Sequence, residues 1–196
     1  VVKDIPPTGE IEFSQAPRIY FGELSPVYSI VGLPKDAEPV EVDTPRGSGS
    51  SEDENFSANV YDGKGGVPMG TLFNQFLYAF KFAEPNIDRV NENSKILYDR
   101  HPRLRVKKVA PWLTLDGDTY PAIVDGKVVW IVDGYTTSNT YPYSEARSLD
   151  EATSDTLTEN ASQIALPTDQ VNYMRNSVKA VVDAYDGTVK LYEWDT

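Results

Sequence analysis

A chain of 196 residues with 30 acidic and 18 basic side chains carries a net charge of −12 and no cysteine. The missing cysteine excludes disulfides, thiolate metal sites and cysteine nucleophiles. The acidity argues against nucleic acid, whose phosphates need clustered Lys and Arg, and against docking on anionic lipid. No run of about 18 apolar residues occurs, so nothing in this sequence spans a bilayer as a helix.

Short extended runs come first, at Glu10–Phe13, Arg18–Phe21 and Val27–Val31. Prolines 6, 7, 17, 26 and 34 punctuate them, which predicts edge or irregular strands. Residues 35–60 then read as a flexible acidic surface loop, its centre PRGSGSSEDEN lacking any apolar anchor. The Gly63–Gly66 stretch GKGG leads into a helix expected over Pro68–Phe82, ending before Pro85. Met69, Leu72, Phe73, Phe76, Leu77 and Phe80 share one face at helical spacing. GKGG is not a phosphate loop, because the spacing G-x-x-x-x-G-K-[ST] is absent. A second helical stretch is expected within Ile87–Tyr98, and a third from Pro102 to about Trp112. The third has a loose apolar face (Leu104, Val106, Val109, Ala110, Leu113), and its basic side chains read as a solvated face.

The remainder is mostly β. Asp125-Gly126 fits a type I′ turn, which pairs Ile123 with Val128, Ala122 with Val129 and Tyr120 with Ile131. Both faces of that hairpin are apolar, so it is expected to be central and covered on both sides. A second hairpin turns at Asp186-Gly187. Outward pairing there sets Ala184 against Val189, Asp183 against Lys190 and Val182 against Leu191. Between the hairpins lies a long polar segment, Thr136 to Thr168, with an N-cap signal at Ser148. The pattern predicts a single α+β domain over residues 1–196. In it a mainly antiparallel sheet of hairpins packs against a few helices, with the Phe-rich face of 68–82 on that sheet.

Few residues suggest chemistry. Asp116-Gly117-Asp118, with Asp133-Gly134 as a neighbour, could offer oxygen ligands to Ca²⁺, although the EF-hand spacing is missing; Asp116 and Asp118 are the candidate metal residues. The competing reading is turn punctuation. No other cofactor is indicated. His101 is the sole histidine, so a Ser-His-Asp triad would need it, and a surface or capping role is simpler. The stretch GYTTSNTYPYSE has the composition of a recognition surface, with Tyr supplying rigid area and Ser, Thr and Asn supplying hydrogen bonds. Its candidate binding residues are Asp133, Tyr135, Asn139, Tyr141 and Tyr143.

Five blocks carry a resemblance: PRIYFGELSPVYSIVG, GKGGVPMG, KFAEPNI, the long run from SKILYDRHPRL to YPYS, and NYMRNSVKAVVDAYDGTVKLYEWD. They resemble an uncharacterised family of large multi-spanning membrane proteins familiar from actinobacteria. Lys35–Asn55 and Leu149–Pro167 fall outside these blocks. The resemblance implies a piece of a longer protein, placed outside the cytoplasmic membrane and tethered through the parent's own helices. It implies no catalytic residue. The expected function is therefore a non-catalytic extracytoplasmic interaction or ligand-binding module, whose partner is an envelope protein or small ligand. The alternatives are a cell-envelope hydrolase using carboxylates about 5–10 Å apart and a structural spacer.

Overall fold

The structure is a computed structural model that describes residues 18–32, 41–45, 56–83, 90, 91, 93–149, 153 and 170–194. The fold is α+β, with antiparallel sheets and two helices among the described residues. The chain divides into two compact units, one of residues 1–18 and 26–98, the other of residues 19–25 and 99–196. The run expected at Glu10–Phe13 lies outside the described residues.

In the first unit β1 (Tyr28–Val31) follows the expected run. Where residues 35–60 read as a loop, β2 (Glu41–Pro45) pairs antiparallel with β3 (Phe56–Asn59), with a register break between Val42 and Pro45. The rest of that span lies outside the described residues. The GKGG turn wraps over Tyr61, whose hydroxyl accepts from Gly65 N at 2.9 Å. Gly66 holds φ +91, where a Cβ would also press on Leu97. The chain then enters β4 (Val67–Pro68), so Pro68 ends a strand instead of starting a helix.

Helix α1 (Leu72–Phe82) begins four residues later than the pattern suggests. Thr71 caps it, its hydroxyl accepting from Asn74 N, and Ala83 closes it in the left-handed region at φ 52. Its Phe-rich face does not pack on a sheet: Leu72, Phe73, Phe76, Leu77 and Phe80 are all exposed. The opposite side, Tyr78, Ala79 and Phe82, packs against buried Met69 and Ile96. Ring stacking favours that side, since Phe82 stacks on Tyr28 at 4.6 Å and Lys81 lies 4.2 Å over the Tyr98 ring.

Residues expected to be helical at Lys95–Tyr98 form β5 instead, the middle strand between β1 and β4. Ile96 and Leu97 are fully buried, which suits a strand covered on both faces better than a helix surface. Burial and then the Tyr98 hydroxyl push the Tyr78 phenol from 10.0 up to about 12. The folded unit therefore holds that proton more tightly than the unfolded chain does. The Tyr78 contribution to stability is full below pH 10 and is lost as pH rises towards 12. Alkaline unfolding followed by circular dichroism should show a steeper loss above pH 10 in the wild type than in Tyr78→Phe.

In the second unit α2 (Pro102–Val109) starts at Pro102 as expected, and His101 is its cap: Nδ1 accepts from Arg103 N at 3.2 Å. Apart from exposed Lys108, its basic side chains are not a solvated face. Arg103 is 3% exposed and donates to the Leu115 carbonyl, Arg105 Nε donates to Gly187 O at 2.6 Å, and Lys107 donates to Leu113 O. Each answers a backbone carbonyl.

The sheet of this unit runs β12 (Val189–Glu193), β11 (Tyr173–Asp183), β8 (Lys127–Ser138), β6 (Thr114–Leu115), with β7 (Tyr120–Val124) also on β8. A small ladder joins β9 (Arg147–Ser148) to β10 (Gln170–Val171), and Leu149, directly after Ser148, is helical. The β7–β8 register matches the sequence reading, with Asp125 and Gly126 both at positive φ. The hairpin is not covered on both sides, however. β7 is an outer strand, and Tyr120, Ile123 and Val124 are exposed.

The last hairpin is shifted by two residues, so that Val182 faces Val189 and Val181 faces Lys190. Asp183 is not opposite Lys190. Its Oδ1 instead accepts from Tyr185 N and Asp186 N, which holds a longer loop. An even shift leaves every side chain on its face. Hence Ala180 and Val182 still join Val132, Val106, Ala110 and Leu113 in the core. The run expected as a strand at Arg18–Phe21 is irregular: Tyr20 N and Phe21 N both donate to Ala184 O.

Candidate functional site

Strand alternation gives the second unit's sheet two faces. Trp130 and Val132 of β8, with Val178, Ala180 and Val182 of β11, pack with α2 residues. The other face carries Ile131, Asp133 and Tyr135 from β8 beside Val181 and Lys179 from β11. One irregularity sets its chemistry. The register shifts between Asn176 and Val178, leaving Ser177 as an extra residue. The bulge puts Asn176 opposite Tyr135 and on the face of Asp133.

Asp133 is the hub of this face. Its carboxylate pairs with the Lys179 ammonium and accepts from Asn176 Nδ2 at 3.0 Å. Both charged side chains are largely covered, 17% exposed for Lys179 and 15% for Asp133. Burial works against the Lys179 charge, but the bonds to Asp133 and Tyr120 outweigh it and raise its pKa. Lys179 Nζ also lies 5.0 Å from the Trp194 ring and 5.8 Å from that of Tyr120.

The Asp116 turn adjoins this hub. Asp116 N donates to Asp133 O, and Asp116 Oδ1 accepts from Asp118 N at 2.9 Å. Asp116 Oδ2 accepts from the Tyr135 hydroxyl. Burial first, then that bond, then the charges of Asp116, Asp133 and Asp118 hold the Tyr135 phenol far above its ordinary range. Tyr135 is thus a proton donor to a carboxylate throughout the neutral range. Among the described residues no three His, Cys, Asp or Glu side chains converge as metal ligands.

The tyrosine loop at the end of β8 is built differently. Asn172 grips Tyr141 from both sides, its Oδ1 accepting from Tyr141 N at 3.0 Å and its Nδ2 donating to Tyr141 O at 2.8 Å. Ser144 Oγ donates to Asn172 O, and the Tyr141 ring stacks on Tyr173 at 5.1 Å and 20°. Tyr143 is fully exposed and sits at φ 58. Asn139 is exposed as well.

The pattern of the uncharacterised protein family UPF0182 matches residues 1–196. The chain belongs to that family. UPF0182 proteins similar to it include one from Arthrobacter sp. (strain FB24), 53% identical over 97% of this chain and 19% of the relative. Another, from Kineococcus radiotolerans, is 53% identical over 100% of this chain and 19% of the relative. A third, from Bifidobacterium adolescentis, is 51% identical over 97% and 18%. The chain spans about a fifth of the length of these relatives. No solved structure matches it.

The UPF0182 family name carries no chemistry, so the site must supply it. The fold brings Asp116, Asp118, Asp133 and Tyr135 together around one turn and one strand. Asn139, Tyr141 and Tyr143 belong to the loop beyond the strand end, tied to Asn172. Sequence reading missed Asn176, Lys179, Tyr120 and Trp194. For Lys179 the signal was a charge among apolar neighbours on β11, and only the register shows its partner.

Proposed function

We propose that this chain is a non-catalytic binding module from the extracytoplasmic region of an integral membrane protein, and that its recognition loop is Asn139–Tyr143. The observation that carries the reading is the Asn172 clamp. It fixes the backbone of Tyr141 while Tyr143 projects fully into solvent. A pre-formed loop presenting aromatic side chains loses little entropy on binding. Asp133 and Tyr135 support the stem that carries it. Engagement of both Asp116 oxygens favours turn chemistry over Ca²⁺ at Asp116 and Asp118. The partner is an envelope protein or a small ligand. No described helix is long and apolar enough to cross a membrane, so the tether would lie elsewhere in the longer protein.

Two measurements test the reading. The chain lacks cysteine, so Tyr143→Cys in the full-length protein gives a single new thiol in this region. A membrane-impermeant maleimide should label it in intact cells above the wild-type background; labelling only after lysis would remove the extracytoplasmic placement. In a strain deleted for the protein, the double variant Tyr141→Ala, Tyr143→Ala should accumulate normally yet fail to restore the deletion phenotype. Full restoration would end the loop's role.

A further inference from the structure

The face around Asp133 has a second feature that the loop does not use. Exposed aromatic rings stand on both sides of its polar centre. Tyr120 is 40% exposed on β7, Tyr192 is 49% exposed on β12, and Trp194 just beyond β12 is 63% exposed. Register puts Tyr120 opposite Ile131 and Tyr192 opposite Lys179, so all lie on the face of Asp133. Trp194 N donates to Ser177 O at 2.9 Å, and the bulge at that residue anchors the ring beside Lys179. From β7 to β12 the sheet is three strand spacings wide, about 14 Å.

Charge narrows the ligand class. A cation would seek the carboxylate and the rings, but the Lys179 ammonium already occupies that place, paired to Asp133 and over Trp194 and Tyr120. An anion would meet Asp133, with Asp116 and Asp118 adjoining it, and Lys179 is already neutralised. That disfavours nucleic acid even though bases stack on aromatic rings. A neutral ligand with apolar flat faces and many hydroxyls fits both elements. Its faces stack on the rings, and its hydroxyls meet the solvent-facing edges of the Asp133 carboxylate and the Lys179 ammonium.

We propose that this sheet face binds a neutral oligosaccharide lying across the strands from Tyr120 to Trp194. The inference rests on the reading of the chain as a binding module, and shares Asp133 with it, but names a surface apart from the tyrosine loop.

The test is titration of the chain with cellotetraose and, separately, chitotetraose, followed by calorimetry and by tryptophan fluorescence. At least one should bind and change the fluorescence. Trp194→Ala and Tyr120→Ala should each weaken that binding about tenfold or more, the scale of losing one stacked ring. Both rings are exposed, and circular dichroism checks that the variants fold. Tyr141→Ala with Tyr143→Ala should leave sugar affinity within twofold. If sugar binds but is lost only in the loop variant, the module reading stands and the platform is wrong. If neither sugar binds, or binding ignores Trp194 and Tyr120, the proposal is overturned.

Discussion

Replacing Leu113 by alanine is expected to cost about 3–4 kcal/mol, the range for a fully buried leucine whose site cannot collapse. Leu113 is 1% exposed and packs with Val106, Ala110, Leu115, Val132, Ala180 and Val182. Its side chain lies directly on the backbone of Gly134: a Cβ built there would come within 2.5 Å of Leu113 Cδ2. The strands on either side of Gly134 are held in a ladder, so the backbone cannot sink into the space a smaller residue leaves. Gly134→Ala alone should therefore overpack the same contact and cost about 1–3 kcal/mol. The two losses should not add. In the double variant the new methyl enters the space vacated by leucine, and the total should fall about 1 kcal/mol or more short of the sum, because the two residues touch. All three tryptophans, Trp112, Trp130 and Trp194, lie in the second unit. Denaturant unfolding by tryptophan fluorescence thus isolates this unit, and additive losses would show that Leu113 and Gly134 do not share a contact.

How much of this was legible in the sequence depended on the range of the interaction. The Asp125-Gly126 turn is local: two residues at positive φ, flanked by alternating strands, fix the register of β7 on β8 without help. Asp186-Gly187 looks the same in one dimension and is not. Gly187 has φ +67, but the Asp183 carboxylate takes the N–H groups of Tyr185 and Asp186 and lengthens the loop. The core survived that error because the shift was even.

Helix α1 shows another limit. Periodicity at Leu72, Phe73, Phe76, Leu77 and Phe80 says that a face is apolar. It does not say what covers that face, and the covered side is the one that stacks Phe82 on Tyr28. The basic residues of α2 misled for a related reason. Lys and Arg carry long stems that let a buried side chain reach a distant carbonyl, as Arg105 reaches Gly187, and composition cannot reveal that target. The polar hub was the least legible part. Asp133 meets Asn176 and Lys179 only through pairing of β8 with β11, and the bulge that aims Asn176 carries no motif.

Asp133→Leu should be among the most damaging single changes on the open face, costing about 2–3 kcal/mol. That is below the 3–5 kcal/mol of a wholly buried pair, because solvent still reaches both groups. The loss comes less from the missing attraction than from what remains. Lys179, with 17% of its side chain exposed, would keep a charge between Tyr120 and Trp194 with no counter-ion. Asn176 Nδ2 would lose its acceptor. Two escapes are open to the variant: Lys179 can swing into water, or it can release its proton. The second gives a signature. In the wild type the pKa of Lys179 is raised, so pairing stabilises the charged form. Stability from the pair is full below the unfolded lysine pKa and is lost as pH rises through the folded one. Removing Asp133 takes away the bond and charge that raise it, and the wild type loses its pair as pH rises, so the deficit of Asp133→Leu should shrink at alkaline pH. Lys179→Leu added to Asp133→Leu removes the stranded charge and should recover most of the loss, since apolar residues of similar volume replace buried pairs at little cost. Chemical denaturation of the two single variants and the double variant, at neutral and alkaline pH, measures all of this. A double variant as unstable as Asp133→Leu would show that the carboxylate works through Asn176, with Lys179 a bystander.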